Sequence, residues 1–146
     1  MPPTAFNELG YYALGGHVES PRDVIDECRR AEALGLGATF LSERFNVKEA
    51  CTSCGVIGAV TEKLGIASAA TNINTRHPMA LAAHATTMHR LTGGRYMLGI
   101  ARGLKPQIEG FGLKVSTTAQ MEEFAGLMRR LWRGEKILDY DGPIGK

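Results

Sequence analysis

The segment LGIASAATNINTRHP, residues 64–78, contains the change of pattern that decides the fold of this chain. Its first half has the apolar character of a buried strand, and that strand ends in two short side chains, Ala69 and Ala70. Hydrogen-bonding residues follow, and Pro78 stands where a helix would begin. A strand end with so little bulk predicts a backbone surface kept open for a ligand, or else a surface against which a helix packs closely.

The pattern of a strand followed by an amphipathic helix extends in both directions from this segment. We predict that strands and helices alternate and that strands recur about every thirty residues, as βαβ units require. Apolar strands between amphipathic helices are typical of a parallel sheet. The predicted strands are residues 9–14, 38–43, 64–70 and 95–101, and the predicted helices are residues 20–35, 48–63, 77–94 and 116–134.

Two parallel folds have this order of elements, and the sequence favours one of them. A dinucleotide-binding fold places a G-x-G-x-x-G turn after its first strand, whereas this chain has only Gly15 and Gly16 there. A TIM-type (β/α)8 barrel takes about 250 residues, so four βα units in 146 residues amount to about half of one. We therefore predict that residues 1–146 are the amino-terminal part of a single barrel domain, cut after the turn at residues 141–143.

The overall composition argues against several classes of protein. The chain is 44% hydrophobic, enough for one core, and its net charge of +2 is too small to predict a nucleic-acid partner. No uninterrupted apolar window is long enough for a membrane span, and the first residues lack the pattern of a secretion signal. We expect a cytoplasmic protein with no nucleic-acid partner and no membrane partner.

Three cysteines, Cys28, Cys51 and Cys54, cannot form a closed disulfide framework, which favours a reducing compartment. Cys51 and Cys54 make a C-x-x-C pair, which occurs in dithiol redox sites and in zinc sites. No second pair of ligands follows at zinc spacing, and residues three apart on a helix also share one packed face. We therefore expect buried structural thiols and no metal site, with a thiol-redox or metal protein as an alternative hypothesis.

A longer run of residues carries a resemblance to a known family. Residues 64–103, LGIASAATNINTRHPMALAAHATTMHRLTGGRYMLGIARG, are similar to the third and fourth strand–helix units of the bacterial luciferase-like oxidoreductases. GLMRRLWRGE and YDGP follow in that family's order, so the resemblance covers the whole chain. It implies a (β/α)8 barrel that uses FMN or the deazaflavin coenzyme F-420, and the chain resembles the F-420-dependent branch more closely.

The resemblance implies a function for the small residues of the third strand. In this family a cis peptide bond without proline lies at the end of that strand, under the ring of the cofactor, and by position it falls at Ala69–Ala70. The resemblance thus implies cofactor binding by Ala69 and Ala70, and by the polar side chains of Thr71 and Asn72. The alternative is structural: two alanines that let a helix pack closely, followed by two residues that cap a turn.

Glu43 is the last residue of the second predicted strand and Arg44 follows it, in the segment SERFN. Many deazaflavin-using relatives have an acidic residue followed by histidine at this place, so the resemblance implies catalytic roles for Glu43 and Arg44. Arginine stays protonated and cannot act as a general base near neutral pH. We therefore expect Arg44 to hold an anionic or carbonyl substrate, or to hold Glu43, with an ion pair at a strand end as the structural alternative.

Arg102 and Gly103 follow the fourth predicted strand, and the resemblance implies that they bind the cofactor. Some relatives that act on alcohols or sugar phosphates have a carboxylate here, and ARGLKP has none, which disfavours such substrates. The implied function is hydride transfer between coenzyme F-420 and a small organic substrate, in a homo-oligomer, most simply a dimer. The alternatives are an FMN-dependent monooxygenase that uses molecular oxygen, and a non-catalytic half-barrel that associates with a partner.

Overall fold

The computed structural model describes residues 6–144, in which strands and helices alternate as predicted. The strands are β1 (Phe6–Tyr12), β2 (Leu36–Leu41), β3 (Gly65–Ser68), β4 (Thr71–Asn72), β5 (Tyr96–Met97) and β6 (Ile100–Ala101). The helices are α1 (Val24–Ala33), α2 (Ala50–Val60), α3 (Pro78–Leu91), α4 (Lys105–Gly110) and α5 (Thr118–Trp132), with 3-10 turns at Pro21–Asp23 and Ile73–Thr75. The prediction about a secretion signal concerns in part residues 1–5, which, like residues 145 and 146, lie outside the described residues.

A parallel sheet of four strands positions the residues of interest. Its order is β1–β2–β3–β5, and each neighbouring pair is parallel. Tyr12 lies opposite Phe40, and Leu41 lies opposite Ser68, so β1, β2 and β3 end at the same edge of the sheet. The residues that follow these strands therefore come together at that edge, which is where parallel α/β proteins bind their ligands. A second, two-stranded pairing joins β4 and β6.

The described residues form two compact units, and each is considered by itself. The first contains the residues up to Thr71 together with Thr87–Ile100, and the second contains Asn72–Thr86 together with the residues from Ala101 onward. Within the first unit, α1 and α2 contact each other and the sheet. Its almost fully buried core residues include Cys28, Ala31, Leu41, Cys54, Ile57, Leu64 and Ile66. Whether residues 1–146 form part of one domain stays a prediction.

The second unit is organised by α5, whose start is well specified by the sequence. The Thr117 hydroxyl accepts a hydrogen bond from the backbone N–H of Gln120, and the Gln120 side chain accepts one from the backbone N–H of Thr117. This capping box satisfies two backbone donors that a helix otherwise leaves unpaired. The buried core of the unit includes Ile73, Leu81, Ile108, Phe124, Leu127 and Met128. Across residues 6–144, no helix combines the length and the apolar character that a membrane span requires.

The first predicted strand is wrong in extent. The sequence predicts it at residues 9–14, whereas β1 is Phe6–Tyr12. Leu14 cannot extend the strand because it adopts a left-handed conformation with a φ of 51°. Its N–H donates instead to the Glu27 carboxylate at 2.9 Å, so the chain turns away from the sheet immediately after β1.

The third and fourth predicted strands also differ from the structure, and one side chain explains much of the difference. The pairing of β3 stops at Ser68, and the run predicted at residues 95–101 is divided into β5 and β6. The Ser68 hydroxyl accepts from the Gly99 N–H at 2.9 Å and lies 3.0 Å from the Gly99 carbonyl, to which it can donate. The Gly99 N–H therefore bonds a side chain where a continuous strand would bond its neighbour, and the Gly99 carbonyl also accepts from the backbone N–H of Thr71 at 3.0 Å.

The predicted helices are confirmed in position and differ at their ends. α2 begins at Ala50 because Glu49 caps it, accepting hydrogen bonds from the N–H groups of Cys51 and Thr52 at 2.9 and 2.6 Å. A 3-10 turn at Pro21–Asp23 precedes α1. The sequence predicts only a glycine-rich loop where α4 lies, although Pro106 in its first turn is a helix-start signal.

Candidate active site

Glu43 lies two residues beyond β2, at the edge where the parallel strands end. Its backbone N–H donates to the Ala70 carbonyl at 3.2 Å. Its Oε2 accepts from the Thr71 hydroxyl at 2.9 Å and, more weakly, from the Ala50 N–H at 3.4 Å. Thr71 is completely buried. The first unit thus brings together Glu43, Ala70 and Thr71, which are three of the predicted site residues.

Ala69 and Ala70 follow β3, and the peptide bond between them is cis, as the family resemblance implies. The Ala69 N–H donates to the Leu41 carbonyl at 2.7 Å, and the Tyr12 hydroxyl lies 3.5 Å from the Ala69 carbonyl. Both alanines are half-buried. The segment therefore combines a backbone anchored to its neighbours with two side chains of a single carbon each.

Arg44 is exposed, and its guanidinium reaches the loop that follows β1. Nη1 donates to the Gly16 carbonyl at 2.8 Å. The backbone of Arg44 and Lys48 forms two reciprocal N–H to carbonyl bonds of 2.9 Å, which fixes the point from which the arginine side chain starts. The structure therefore gives Arg44 a partner on the loop between β1 and α1, and its catalytic role stays a prediction.

Lys48 is a residue of this edge that the sequence does not single out. It is 1% exposed, and its Nζ donates to the carbonyl groups of Ala13 at 3.0 Å and Leu14 at 2.8 Å. The ammonium also lies 5.2 Å from the centroid of the Tyr12 ring. Burial, followed by the positive charge of Arg44, lowers the pKa of Lys48. A lysine in sequence normally indicates a solvated position, so no sequence signal reveals this buried ammonium.

Asn72, Arg102 and Gly103, the remaining predicted cofactor ligands, lie in the second unit. Gly103 has a φ of 71°, a conformation that favours glycine, and a Cβ at this residue would overlap the Asn72 Nδ2 atom unless that side chain moved. Arg102 is exposed, and its Nη1 lies 3.4 Å from both the Ser116 carbonyl and the Thr118 hydroxyl. Contacts of this length are weak. The second unit therefore brings Gly103 against Asn72 and leaves the Arg102 guanidinium loosely held.

Asn74 is a second residue that the sequence does not single out. Its side chain contacts both Asn72 and the backbone of Arg102, with hydrogen bonds of 2.8 and 2.6 Å. An asparagine in a polar segment before a helix has many local roles. The sequence therefore carries no signal that this asparagine binds residues distant in the chain.

The three cysteines are free thiols. Cys54 is completely buried, as predicted, and burial raises its pKa to about 12. Cys28 is also buried, which raises its pKa, whereas Cys51 is half-buried. A redox dithiol needs a lowered pKa in its attacking thiol, and Cys54, whose pKa is raised, does not have that property. Within residues 6–144, no three His, Cys, Asp or Glu side chains are grouped so that they could hold a metal ion.

The family of the chain follows from a comparison with known families. The luciferase-like monooxygenase family model matches residues 3–145. The chain therefore belongs to the luciferase-like monooxygenase family, and the resemblance seen in residues 64–103 is confirmed.

Two sequence relatives cover most of this chain. A phthiodiolone/phenolphthiodiolone dimycocerosates ketoreductase of Mycobacterium sp. strain JLS is 36% identical over 113 residues, which are 74% of this chain and 30% of the relative. A Mycobacterium tuberculosis protein provisionally named as a coenzyme F-420-dependent oxidoreductase is 25% identical over 138 residues, 93% of this chain and 38% of the relative. The chain thus spans between 30% and 38% of the length of these two relatives.

A solved structure matches the fold. The coenzyme F-420-dependent tetrahydromethanopterin reductase of Methanopyrus kandleri aligns with a TM-score of 0.79 at 20% identity, over 98% of this chain and 44% of the reductase. At this identity the similarity establishes the fold alone. The predicted α/β fold, with the first four βα units of a TIM-type barrel, is confirmed.

Proposed function

We propose that this chain is an F-420-dependent oxidoreductase, or a part of one, that transfers a hydride between the deazaflavin and a small organic substrate. Family membership over residues 3–145 carries this proposal, and the relative named as an F-420-dependent oxidoreductase, aligned over 93% of the chain, supports the choice of cofactor. Because the chain spans no more than 38% of that relative, cofactor binding is proposed for the chain itself and turnover for the whole protein.

The end of the third strand fits a planar tricyclic ring. The side chains of Ala69 and Ala70 are single methyl groups. The Ala69 N–H donates to the Leu41 carbonyl, and this hydrogen bond anchors the backbone of the segment. A flat ring lies on such a surface without displacing a long side chain. When bound, the deazaflavin supplies the hydride chemistry, and the protein supplies binding, orientation and exclusion of water.

Glu43 and Thr71 are the polar pair that we assign to the edge of the ring. The Glu43 carboxylate fixes the direction of the Thr71 hydroxyl through their 2.9 Å hydrogen bond. A hydroxyl group can donate one hydrogen bond and also accept one, for example from a ring N–H. The proposed role of this pair is therefore to orient the ring, and to place the carboxylate close to the reacting partners.

Arg44 is assigned to the substrate. Its charge persists at every physiological pH, which suits an anionic or carbonyl group and excludes a role as general base. The bond to the Gly16 carbonyl uses one of the five N–H donors of the guanidinium. The remaining donors are sufficient for two hydrogen bonds to a carboxylate or for one to a carbonyl oxygen.

Asn72, Arg102 and Gly103 are proposed to bind the polar tail of the cofactor. A guanidinium suits a phosphate group, with which it forms charge-assisted hydrogen bonds. The missing side chain at Gly103 allows the cofactor tail to approach the backbone closely, next to the Asn72 amide. The family resemblance implies that these three residues bind the cofactor, and their assignment to its tail rests on that implication.

Titration of the purified chain with F-420 and, separately, with FMN tests the proposal through ring fluorescence. We expect saturable quenching by F-420. Ala70→Leu should weaken binding roughly tenfold or more, because its side chain occupies the place of the ring. Ala59→Leu, at an exposed position of α2, is the matched control and should keep wild-type affinity. Equal affinities for wild type and Ala70→Leu contradict the assigned surface, and a wild-type chain that binds neither cofactor contradicts the proposed function of the chain.

An FMN-dependent monooxygenase that uses molecular oxygen is the second candidate, and the description of the matching family favours it. Saturable quenching of FMN without binding of F-420 would select it. A chain that binds neither cofactor yet forms a stable oligomer fits the third candidate, a non-catalytic half-barrel that associates with a partner. We also propose a cytoplasmic homodimer, and light scattering after gel filtration measures whether the chain is dimeric.

A further inference from the structure

The side chain of Asn74, in the 3-10 turn before α3, uses its full hydrogen-bonding capacity. Its Nδ2 donates to the Asn72 Oδ1 at 2.8 Å and to the Arg102 carbonyl at 2.6 Å. Its Oδ1 accepts from the Ser116 N–H at 2.7 Å and from the Ser116 hydroxyl at 2.8 Å. A primary amide has two N–H donors and two lone pairs on its oxygen, so all four are matched within the second unit.

The partners also fix the orientation of this amide. The Arg102 carbonyl can only accept a hydrogen bond, and the Ser116 backbone N–H can only donate one. Nδ2 must therefore face Arg102, and Oδ1 must face Ser116. If the amide were turned by 180°, Nδ2 would face the Ser116 N–H, also a donor, and Oδ1 would face the Arg102 carbonyl, also an acceptor. Asn74 therefore joins Arg102 and Ser116 in one orientation only.

Asn74 joins segments that are far apart in the sequence. It lies 28 residues before Arg102 and 42 residues before Ser116. The Arg102 guanidinium also contacts the segment that contains Ser116. Its distances to the Ser116 carbonyl and the Thr118 hydroxyl are, however, both 3.4 Å. Such contacts hold a side chain weakly, whereas the bonds made by Asn74 are short. The position of the Arg102 backbone therefore depends more on Asn74 than on the contacts of the Arg102 side chain.

We propose that Asn74 is a positioning residue for cofactor binding, which holds the Arg102–Gly103 backbone so that the Arg102 guanidinium meets an anionic group of the cofactor tail. This inference rests on the proposed function, which assigns Arg102 and Gly103 to the cofactor. The Asn72 amide supports it, because its Oδ1 accepts from both the N–H and the Nδ2 of Asn74. The Nδ2 of that amide lies so close to Gly103 that a Cβ there would overlap it. Asn72 thus helps to hold the Asn74 side chain, and Asn74 in turn holds the Arg102 carbonyl.

Two substitutions separate the connection to Arg102 from the connection to Ser116. In Asn74→Asp, one carboxylate oxygen can still accept both hydrogen bonds from Ser116. The other carboxylate oxygen replaces Nδ2, so the hydrogen bonds to the Arg102 carbonyl and the Asn72 Oδ1 are both lost. That oxygen then faces two other oxygen atoms, which is unfavourable. Asn74→Ala removes all four hydrogen bonds without adding charge. Gln107→Glu, an exposed amide in α4, adds the same charge as Asn74→Asp and is the matched control.

NMR relaxation of backbone amides in the ligand-free chain tests the positioning directly. We expect Asn74→Asp to increase the mobility of residues 102–104 while the first turn of α5 stays as ordered as in the wild type. Asn74→Ala should mobilise both segments, and Gln107→Glu should mobilise neither. Unchanged relaxation of residues 102–104 in both Asn74 variants overturns the proposal.

Binding of ligands with and without a phosphate group tests the link to the cofactor tail. We expect both Asn74 variants to weaken binding of FMN or F-420 roughly tenfold, as for loss of a charge-assisted contact. Affinity for riboflavin or the phosphate-free deazaflavin should stay within about twofold, because those ligands lack the anionic tail. Equal losses for both kinds of ligand indicate a merely structural role and overturn the proposal. If the wild type binds none of these ligands, the proposed function fails, and the relaxation data still decide whether Asn74 holds Arg102.

Discussion

The Thr71 hydroxyl donates a hydrogen bond of 2.9 Å to the Glu43 carboxylate. Thr71 is completely buried and follows the two alanines after β3, whereas Glu43 follows β2. The bond therefore connects the segments that leave two adjacent parallel strands. A hydrogen bond to a charged group contributes about 1.5–3 kcal/mol, and a buried partner left without one adds a desolvation cost. The same contact thus stabilises the fold and fixes two residues of the candidate active site.

Thr71→Val keeps the shape of the side chain and removes its O–H donor. We expect this variant to lower the free energy of unfolding by about 1–3 kcal/mol, because it removes the hydrogen bond from the buried Thr71 hydroxyl to the Glu43 carboxylate. Urea unfolding at pH 7 measures the change. Thr52→Val, at an exposed position in the first turn of α2, is the control and should change the free energy by less than about 0.5 kcal/mol. Equal effects of the two substitutions would show that the bond to Glu43 contributes nothing.

The edge of the sheet that carries Glu43, Ala69 and Ala70 could be predicted from the sequence. Hydrophobic runs alternate with amphipathic helices, and the carboxyl ends of parallel strands meet at one edge of a sheet. Residues that follow different strands are therefore expected to be neighbours, and Glu43 does donate its backbone N–H to the Ala70 carbonyl. The position of the cis peptide bond could be inferred only from the family resemblance. No local sequence pattern distinguishes a pair of alanines joined by a cis bond from a pair joined by a trans bond.

Other contacts could not be predicted, because each joins residues whose proximity only the folded chain creates. The fourth strand is interrupted where the Ser68 side chain bonds Gly99, 31 residues further along the chain. Lys48 is buried because its ammonium finds two carbonyl groups about 35 residues earlier, at Ala13 and Leu14. In each case a polar side chain forms hydrogen bonds with backbone groups of a distant segment. Hydrophobic periodicity and helix-capping motifs, which are the signals that a sequence offers, do not reveal such contacts.

Gly103→Ala adds a methyl group where the backbone has a φ of 71°. Left-handed conformations cost other residues about 1–2 kcal/mol, and here the new carbon would also overlap the Asn72 amide. We expect a loss of at least this free energy of unfolding in urea, together with weaker cofactor binding. Gly110→Ala, in α4, meets no atom within 4 Å and should be neutral or slightly stabilising. A Gly103→Ala variant as stable as Gly110→Ala would contradict the tight approach to Asn72.

The cysteines should differ sharply in their reactivity with maleimide. The thiolate is the reactive form, and a pKa raised by burial from 9.0 to about 12 leaves Cys54 roughly a thousandfold less thiolate at pH 8 than an unperturbed thiol. Burial also raises the pKa of Cys28. We expect half-buried Cys51 to react first and the other two to react only as the chain unfolds, as measured by mass spectrometry over time. Cys51→Ser should abolish the fast phase. Fast modification of Cys54 would instead contradict its burial and its raised pKa.

Glu32 makes the stability of the first unit depend on pH. Its carboxylate accepts hydrogen bonds from three consecutive N–H groups, those of Glu62 at 2.9 Å, Lys63 at 2.5 Å and Leu64 at 2.8 Å. Burial alone would raise the pKa of Glu32, but these three donors outweigh it, and the pKa is lowered from its ordinary value of 4.5. The folded state therefore favours the charged carboxylate more than the unfolded state does.

A carboxyl group with a lower pKa in the folded state stabilises the fold above its unfolded pKa, and this stabilisation is lost as the pH falls through the folded pKa. We therefore expect Glu32→Gln to lower the free energy of unfolding at pH 7 by about 1 kcal/mol, a modest value because the group is partly exposed. Urea unfolding at a series of pH values should show the difference from wild type shrinking as the pH falls below 4.5, where the wild-type side chain also becomes neutral.

Glu109→Gln, which removes only an exposed contact of 3.8 Å with Lys105, is the control and should have little effect at any pH. A Glu32→Gln effect of the same size at pH 7 and at pH 3 would mean that lost packing, and not the charge on Glu32, accounts for it.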